Sequence, residues 1–464
     1  MSTEGCKIVS TSDYKQDALK AKDKLAEVSP TMCLAKWNQT SLHLPTGLTN
    51  SCYHPPLHEM DAEAVKLNPA ALHNTAEKLD QRQQMLEGKQ PAGCSYCWNM
   101  EKTGEMSDRH YRSGEPWAMQ DFEDIRKNPM TTSWTPRYVE VNFNNACNLK
   151  CSYCSPQFST TWGKEIDRYG QYPTSPPHNA PEHFQGRRRP IPNREDNPYV
   201  TAFWKWWPTL YKNLKHFRMT GGEPMMDKNT YKVFQYIIDN PKDDLHLNIT
   251  SNMCPADKKL KEKYFNMTKQ ICMEKKVEHL MQFVSVDAFG KRAEYIRNGL
   301  DFNYMMDNVE EFLERIPVRN SITFICTYNN LSITSMDKLL EKILELRIKY
   351  SKTYQRVWFD VPLLRQPAWQ QITLLPESYQ DIHKDNIEYM QDNSGEENGL
   401  HIFKDFEIQK MQRNLAYWKE NADASTQNRK NFYAFFNEHD RRRQTNFLNT
   451  FPEMEEFYVE CKNA

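Results

Sequence analysis

The sequence predicts an α/β fold: a partial (β/α)6 barrel of the TIM type, preceded by a small cysteine-rich domain and followed by a helical C-terminal extension. Three observations support this prediction. Six strand-like segments lie between residues 135 and 365, and a helix-like segment follows each of them. Cysteines concentrate before and at the start of that region, and a helical, aromatic-rich segment follows it. Alternation of this kind indicates parallel strands joined by crossover helices.

The domain boundaries follow shifts in composition along the 464 residues, a length that suits two or three domains. Residues 1–30 are polar and are predicted to form a flexible arm. Residues 31–117 are dense in Cys, His, Trp and Pro with weak periodicity, which is typical of a small domain around a metal centre. The barrel is assigned to residues 135–365, and the extension to residues 366–464.

Each of the six predicted units pairs one strand with a following helix, and two helices follow the fourth strand. The predicted strands are Tyr138–Phe143, His216–Thr220, His246–Ser251, Gln282–Asp287, Ile322–Thr327 and Val357–Val361. The predicted helices lie near Phe158–Tyr169, Asn229–Asp239, Lys258–Lys275, Lys291–Arg297, Tyr304–Arg315, Ser335–Tyr350 and Pro376–Gln391. Six units are too few to close an eight-stranded barrel and fit an open one. In parallel barrels the chemistry gathers at the carboxyl ends of the strands.

Composition excludes several classes of protein. The net charge of -1 offers no overall field for nucleic acid or an anionic membrane. No run of 18 apolar residues and no signal peptide is found, so a soluble, cytoplasmic protein is expected, with neither membrane nor nucleic acid as partner. Twelve cysteines, several at C-x2-C spacing, fit metal or cluster binding better than disulfides.

A C-x3-C-x2-C run follows the first predicted strand and consists of Cys147, Cys151 and Cys154. Three thiolates at this spacing suit three irons of a 4Fe–4S cube, which leaves the fourth iron open to a ligand. A zinc knuckle and three buried free thiols are the alternatives. Structural zinc needs four ligands, and the 20 residues after the run contain neither Cys nor His.

Glycines and polar residues stand at the carboxyl ends of the next two predicted strands. Gly221 and Gly222 follow the second strand and precede Glu223. Glycine lets the backbone approach a ligand closely, and a carboxylate can pair with an ammonium group. Ser251 and Asn252 end the third strand, where short polar side chains suit hydroxyl recognition. A simple turn or a loop cap is the alternative at each position.

Asp287 ends the fourth predicted strand, and Glu294 and Arg297 follow in a predicted helix. The last two are three residues apart and would share one helix face. Arg297 could contact a ligand, or it could form a solvated pair with Glu294. Tyr153 supplies an aromatic ring within the cysteine run.

The C-x3-C-x2-C run and the Gly-Gly-Glu-Pro motif together resemble the signature motifs of the radical S-adenosylmethionine (radical SAM) superfamily, which shares the (β/α)6 architecture. The resemblance implies that the three cysteines are the catalytic, cluster-binding residues and that S-adenosylmethionine (SAM) is chelated at the open iron. Further contacts are implied to the SAM ammonium, carboxylate, ribose and adenine. The residues implied in them are Tyr153, Gly221, Gly222, Glu223, Ser251, Asn252, Asp287 and Arg297.

Four upstream cysteines resemble the ligand pattern of the twitch domain, a shortened SPASM domain that carries one auxiliary 4Fe–4S cluster. They are Cys33, Cys52, Cys94 and Cys97. This twitch-like region precedes the barrel, whereas in most relatives it follows. A structural zinc site with four cysteine ligands is the alternative. Nearby His54 and His58 could be ligands, but they are interpreted as residues with local hydrogen bonds or as ordinary surface residues.

The resemblance implies an enzyme of the oxidoreductase or maturase type. A low-potential electron donor would reduce the cluster, SAM would be cleaved to methionine and a 5′-deoxyadenosyl radical, and the radical would abstract hydrogen from the substrate. Peptide or protein modification or oxidation is the first hypothesis. A radical SAM enzyme acting on a small molecule such as a sugar or nucleotide is the second. A non-enzymatic zinc-binding module is the third, and it predicts a colourless protein.

Overall fold

Short helices and strands fill the region before the barrel. The computed structural model describes residues 11–395 and 399–464. Up to residue 127 the elements are α1 (Thr11–Ala26), α2 (Ala35–Asn38), β1 (Gln39–His43), β2 (Leu48–Asn50), β3 (His58–Glu59), α3 (Ala62–Leu67), α4 (Ala76–Leu86), α5 (Ser95–Lys102), α6 (Asp108–Gly114), α7 (Pro116–Met119) and α8 (Phe122–Lys127).

All six predicted barrel strands are present, each followed by a helix. The elements are β4 (Tyr138–Asn142), β5 (Lys150–Cys151), α9 (Thr160–Tyr169), α10 (Pro198–Asn213), β6 (His216–Thr220), α11 (Lys228–Asp239), β7 (Lys242–Ser251), α12 (Lys258–Met273), β8 (Val277–Ser285), α13 (Lys291–Ile296), β9 (Arg297–Asn298), α14 (Phe302–Arg315), β10 (Asn320–Ile325), α15 (Met336–Tyr350) and β11 (Val357–Asp360). The α/β fold is confirmed.

The C-terminal region is helical. Its elements are α16 (Tyr379–Asp392), α17 (Asp405–Glu420), α18 (Thr426–Arg443), α19 (Phe447–Thr450) and α20 (Glu455–Asn463). Short 3-10 helices lie at Pro69–Leu72, Ala92–Cys94, Pro181–His183, Gln185–Arg187, Pro224–Met226, Ser332–Ser335, Ala368–Gln370, Ile372–Leu374 and Pro452–Met454. Among the residues described, no helix combines the length and the apolar character needed to cross a bilayer.

Aspartates fix the start of several barrel helices. Asp227 caps α11 by accepting a hydrogen bond from the Asn229 amide, and Asp301 caps α14 by accepting one from the Tyr304 amide. An N-cap carboxylate satisfies amides that have no partner within the helix. The first turn of each helix is therefore held directly after the loop that precedes it.

The chain divides into two compact units. The first comprises residues 11–145, 184–221 and 242–248. Its parallel pairs join β1 to β4 and β4 to β6, with Gln39 opposite Tyr138 and Tyr138 opposite His216, while β2 pairs antiparallel with β1. Strand β1 was not predicted: it adds a strand from the cysteine-rich region.

Helix α1 occupies part of the predicted flexible arm. Its Ala18, Ala21 and Leu25 are buried, and Gly114 of α6 leaves no space beside the Asp17 backbone, since a Cβ there would lie 2.9 Å from the Asp17 carbonyl oxygen. From Ala18 to Leu25 the helix is thus packed rather than free, where a flexible arm was predicted. Residues 1–10 of the predicted arm lie outside the described residues.

The second unit comprises residues 146–183, 222–241 and 249–464. Strands β8, β10 and β11 pair in parallel, with Gln282 opposite Ile322 and Ile322 opposite Val357. Strands β5 and β9 form a separate antiparallel pair that sets Cys151 opposite Arg297. Arg297 therefore belongs to a strand, where a helical position was predicted.

Candidate active site and thiol cavity

The cysteine loop, residues 147–154, lies wholly within the second unit. Burial, together with the neighbouring Cys151 and Glu223 charges, raises the pKa of the Cys147 thiol. Burial and Cys151 likewise raise the pKa of Cys154 to about 12. The Leu149 amide also donates to the Cys147 sulfur at 3.4 Å, a contact that favours a thiolate.

Side chains of helices α9 and α18 donate hydrogen bonds to the backbone of the cysteine loop. The Trp162 indole donates to the Cys151 carbonyl oxygen at 2.9 Å. Arg443, the last residue of α18, donates to the Lys150 carbonyl oxygen and pairs with Glu165, both at 3.3 Å. Burial opposes ionisation of Glu165, but Arg443 and Lys150 lower its pKa to about 2. The loop is thus fixed by buried, charged contacts.

Glu223 accepts hydrogen bonds from the 3-10 helix Pro224–Met226 and from residues at the end of β7. One carboxylate oxygen accepts hydrogen bonds from the Ser251 hydroxyl at 2.7 Å and the Met225 amide at 3.0 Å, and the other accepts from the Asn252 amide at 2.8 Å. The side chain is buried, and burial raises the pKa of Glu223 although these donors oppose the shift. Three of the predicted SAM-binding residues are therefore in direct contact.

Arg297 connects the cysteine loop to the end of β8. Its guanidinium lies 2.8 Å from the Asp287 carboxylate and donates to the Tyr153 hydroxyl at 2.7 Å. The same side chain reaches the Cys151 sulfur at 3.5 Å. Burial acts to lower the pKa of Arg297, but the larger combined effect of Asp287, Tyr153 and Cys151 raises it well above its ordinary value. The guanidinium therefore stays protonated.

Glu294, the other member of the predicted surface pair, does not contact Arg297 through any described ion pair. It binds Lys291 at 2.6 Å and accepts from the Phe302 amide at 3.2 Å. Arg297 is only 6% exposed. The solvated-pair interpretation is therefore wrong, because the strand position of Arg297 turns its side chain inward.

Two residues of this site escaped the sequence analysis. Asn148 accepts from the Asn252 side chain at 2.9 Å and donates to the Cys254 carbonyl oxygen at 2.8 Å. The Thr327 amide, at the end of β10, donates to Asp287 at 3.0 Å. The position of Asn148 inside the cysteine run was the available signal. The Thr327 contact is made by backbone, so its residue type carries no signal.

Gly221 belongs to the first unit and packs against the end of β4. Its φ is +119°, and a Cβ there would lie 2.1 Å from the Asn142 side-chain oxygen. Gly221→Ala is expected to lower the free energy of unfolding by about 1–3 kcal/mol because of backbone strain alone, with the clash adding to it. Denaturant unfolding measures this change.

Gly163→Ala is the matched control for that substitution. Gly163 lies inside α9 with no heavy atom within 4 Å of a Cβ. Alanine should raise helix stability there by up to about 1 kcal/mol. Equal stability of the two variants would contradict the role assigned to Gly221.

The upstream cysteines of the first unit line one cavity, here called the thiol cavity. Its walls include Cys33, Cys52, Cys94 and Cys97. Burial, with the other three thiols, raises the pKa of Cys33 to about 12, and burial raises the pKa of Cys97 to about 11. For Cys52 burial raises the pKa while the Lys36 ammonium lowers it.

The two histidines near Cys52 have hydrogen-bond partners within the protein. His54 pairs with Asp108 at 2.6 Å and stacks on Tyr96 with ring centroids 3.8 Å apart. His58 is hydrogen-bonded to the Thr75 hydroxyl at 2.9 Å. The Nε2 atom of each histidine therefore has a protein partner in this conformation.

The donor sets of both sites fit iron–sulfur clusters. Four thiols surround the thiol cavity, and three share the cysteine loop with a guanidinium and a backbone amide directed at sulfur. Among the described residues, no three Cys, His, Asp or Glu side chains converge on a single metal ion. A 4Fe–4S cube binds each thiolate through a different iron and does not require such convergence.

No protein-family model matches this sequence, and no curated protein matches it. Several solved structures are similar in part to this chain, among them the following three. Streptococcus suis SuiB is 13% identical (TM-score 0.36) over 77% of this chain and 69% of SuiB. SuiB bound to precursor peptide SuiA is 14% identical (TM-score 0.36) over 79% and 71%. For anSMEcpe with bound AdoMet, identity is 12% (TM-score 0.33) over 55% of this chain and 56% of that one, about half of each. At these values the functional assignment depends on the residues of the site.

Proposed function

We propose that this protein is a radical SAM enzyme. The proposal depends mainly on the contacts of Arg297. Its guanidinium contacts the Cys151 sulfur, the Tyr153 hydroxyl and the Asp287 carboxylate. Through it, the thiols of the cysteine loop and the polar residues at a strand end belong to one connected site. An isolated thiol site would not need these partners.

Each group in this site has a distinct proposed task. Cys147, Cys151 and Cys154 hold a 4Fe–4S cluster. Glu223, kept ionisable inside the protein by its three hydrogen bonds, pairs with an ammonium group, and the Arg297 cation offsets negative charge on the loop and on a bound carboxylate.

The cluster and SAM, when bound, supply reductive cleavage of SAM and a 5′-deoxyadenosyl radical. The chain's part is to bind, orient and exclude water. Burial of Glu223 and Asp287 serves this purpose, since their carboxylates are 2% and 0% exposed and are oriented by protein donors. A low-potential electron donor is the required partner.

The proposed substrate is a peptide or protein, modified or oxidised after hydrogen abstraction. This class rests on the twitch-like pattern of the four upstream cysteines and on their common cavity. A small molecule such as a sugar or nucleotide is the second candidate. The auxiliary centre in the thiol cavity would accept an electron from the product radical or bind substrate.

Metal analysis of anaerobically purified protein tests the proposal first. We expect about eight irons and about eight sulfides per chain, with 5′-deoxyadenosine formed from SAM on reduction. About four irons with one zinc would retain the radical chemistry and make the upstream centre structural. Zinc alone, in a colourless protein without SAM cleavage, would overturn the proposal in favour of a zinc-binding module.

A further inference from the structure

Three cations are buried together in the first unit and form what we call the cation triad. Its members are Lys36, Lys78 and Arg82, which are 2%, 0% and 0% exposed. Lys36 is the second residue of α2 and lines the thiol cavity. Lys78 and Arg82 lie one turn apart on α4. Buried lysines and arginines are rare unless they are paired with an opposite charge.

The hydrogen-bond partners of Lys36 and Lys78 are neutral. The Lys36 ammonium donates to the Ser51 hydroxyl at 3.0 Å and to the Gln81 amide oxygen. The Lys78 ammonium donates to the hydroxyls of Thr40 at 2.8 Å and Thr49 at 3.0 Å. These contacts satisfy the donors without neutralising the charge.

Arg82 is also held by neutral groups. It donates to the Lys36 carbonyl oxygen at 3.0 Å and to the Asn74 side-chain oxygen at 2.9 Å, and it contacts His73. Within the described residues, no Asp or Glu lies within ion-pair distance of any member of the triad. Burial, Arg82 and Lys36 lower the pKa of Lys78 well below its ordinary value, and burial lowers the pKa of Arg82 to about 9. A nearby anion is therefore what would keep all three groups charged.

The thiol cavity is where that anion would sit. Its other charged walls are already paired: Arg109 with Glu101 at 2.6 Å, Asp108 with His54 at 2.6 Å, and Arg112 with Glu115 at 3.9 Å. Lys36 is the wall residue without a carboxylate, and its ammonium binds Ser51, the neighbour of Cys52. Four thiolates around a core of charge +2, whether 4Fe–4S or zinc, leave a net charge of about -2.

We propose that the cation triad supplies the counter-charge of an anionic tetrathiolate metal centre in the thiol cavity. This inference rests on the proposed function in one respect: it requires that a metal centre is present in the thiol cavity. Lys36, Lys78 and Arg82 act as positioning residues: they contact no substrate, and they favour the ionised thiolates over the neutral thiols. The charge is the same for a cluster and for zinc, and the experiment separates the two.

Lys36→Leu in the full-length protein tests the proposal, compared in metal-loaded and chelator-stripped forms. We expect metal loss from the variant to a competing chelator to be about 10–100-fold faster than from the wild type, as for other groups that support metal ligands. If the centre is a cluster, its reduction potential should also shift to more negative values. The stripped variant should be at least as stable as stripped wild type, because an unpaired buried cation has been removed.

Two controls separate charge from packing. Lys36→Arg retains the charge and should restore metal retention. Arg347→Met breaks an ion pair buried at 0% exposure in the second unit and should destabilise loaded and stripped protein alike. Equal destabilisation of both forms by Lys36→Leu, with unchanged metal release and potential, would overturn the proposal, as would wild-type protein that binds no metal at the four thiols.

Failure here is distinguishable from failure of the proposed function. Metal release is followed in a Cys151→Ala background, where the cysteine loop cannot hold its own cluster, so the signal reports the thiol cavity. SAM cleavage is measured separately in the protein that retains Cys151. A protein that cleaves SAM but fails the Lys36 test keeps its proposed function and loses the role of the triad.

Discussion

Cys151→Ala is expected to abolish formation of 5′-deoxyadenosine from SAM under reducing conditions. Cys151 is one of three thiols available to the proposed cluster, and its sulfur is the one that Arg297 contacts at 3.5 Å. Without Cys151, only two thiolates would remain to hold the cube. The cluster would then not be retained, and the open iron that binds SAM would be lost with it. Chromatography of the reaction products measures the effect, and iron content should fall by about four per chain.

Cys272→Ala serves as the matched control. Cys272 is a fully buried thiol on α12 whose sulfur contacts the Arg319 carbonyl oxygen at 3.7 Å, away from the cysteine loop. Its removal should leave both iron content and SAM cleavage unchanged. Continued 5′-deoxyadenosine production by Cys151→Ala would remove the radical mechanism.

Arg347→Met should lower the free energy of unfolding by about 3–5 kcal/mol, since it leaves a carboxylate buried and unpaired. Arg347 and Glu407 are both fully buried and lie 2.6 Å apart. The guanidinium also donates to the carbonyl oxygens of Val357 at 3.0 Å and Ile402 at 2.7 Å. It thereby ties α15 to the edge strand β11 and to the C-terminal region. Denaturant titration provides the measurement.

An exposed ion pair gives the comparison. Arg441 is paired with Glu438 at 2.6 Å, but 60% of its side chain is exposed. Arg441→Met should therefore change the unfolding free energy by less than about 1 kcal/mol. Similar losses for the two arginine variants would show that burial of the Arg347 pair is not what determines its effect.

Some barrel strands were predictable because buried and half-buried residues alternate along them. In β6 the pattern from His216 to Thr220 alternates between buried and half-buried residues, and β7 does the same from Leu245 to Ser251. The strand-end residues followed from this pattern. The sequence alone was enough to assign Glu223, Ser251 and Asn252 to the same region, because the carboxyl ends of parallel strands lie at one edge of the sheet.

Strand β1 was not predictable by the same means. Its first four residues are all buried, and three of them are polar: Gln39, Thr40 and Ser41. Neither alternation nor an apolar run marks such a strand. Its buried hydroxyls have a use that only the fold reveals, since Thr40 accepts from the Lys78 ammonium at 2.8 Å.

Charged residues were the other source of difference. Arg443 ends a run of three arginines, and the sequence alone does not assign such a run to a solvated or a functional role. Its side chain is 2% exposed and pairs with Glu165, far away in the chain. Long-range ion pairs of this kind leave no local pattern, because the partner's identity depends on tertiary packing.

The hold of α18 on the cysteine loop has a consequence for the order in which the protein matures. Arg443 fastens the Lys150 carbonyl oxygen across 293 positions of sequence. During synthesis the earlier segments emerge first, so the thiol-bearing loop waits for most of the chain before its supporting contacts can form. Delivery of a cluster to this loop would accordingly be a late event, after α18 has left the ribosome. The thiol cavity draws its four cysteines from residues 33–97 and could be filled far earlier.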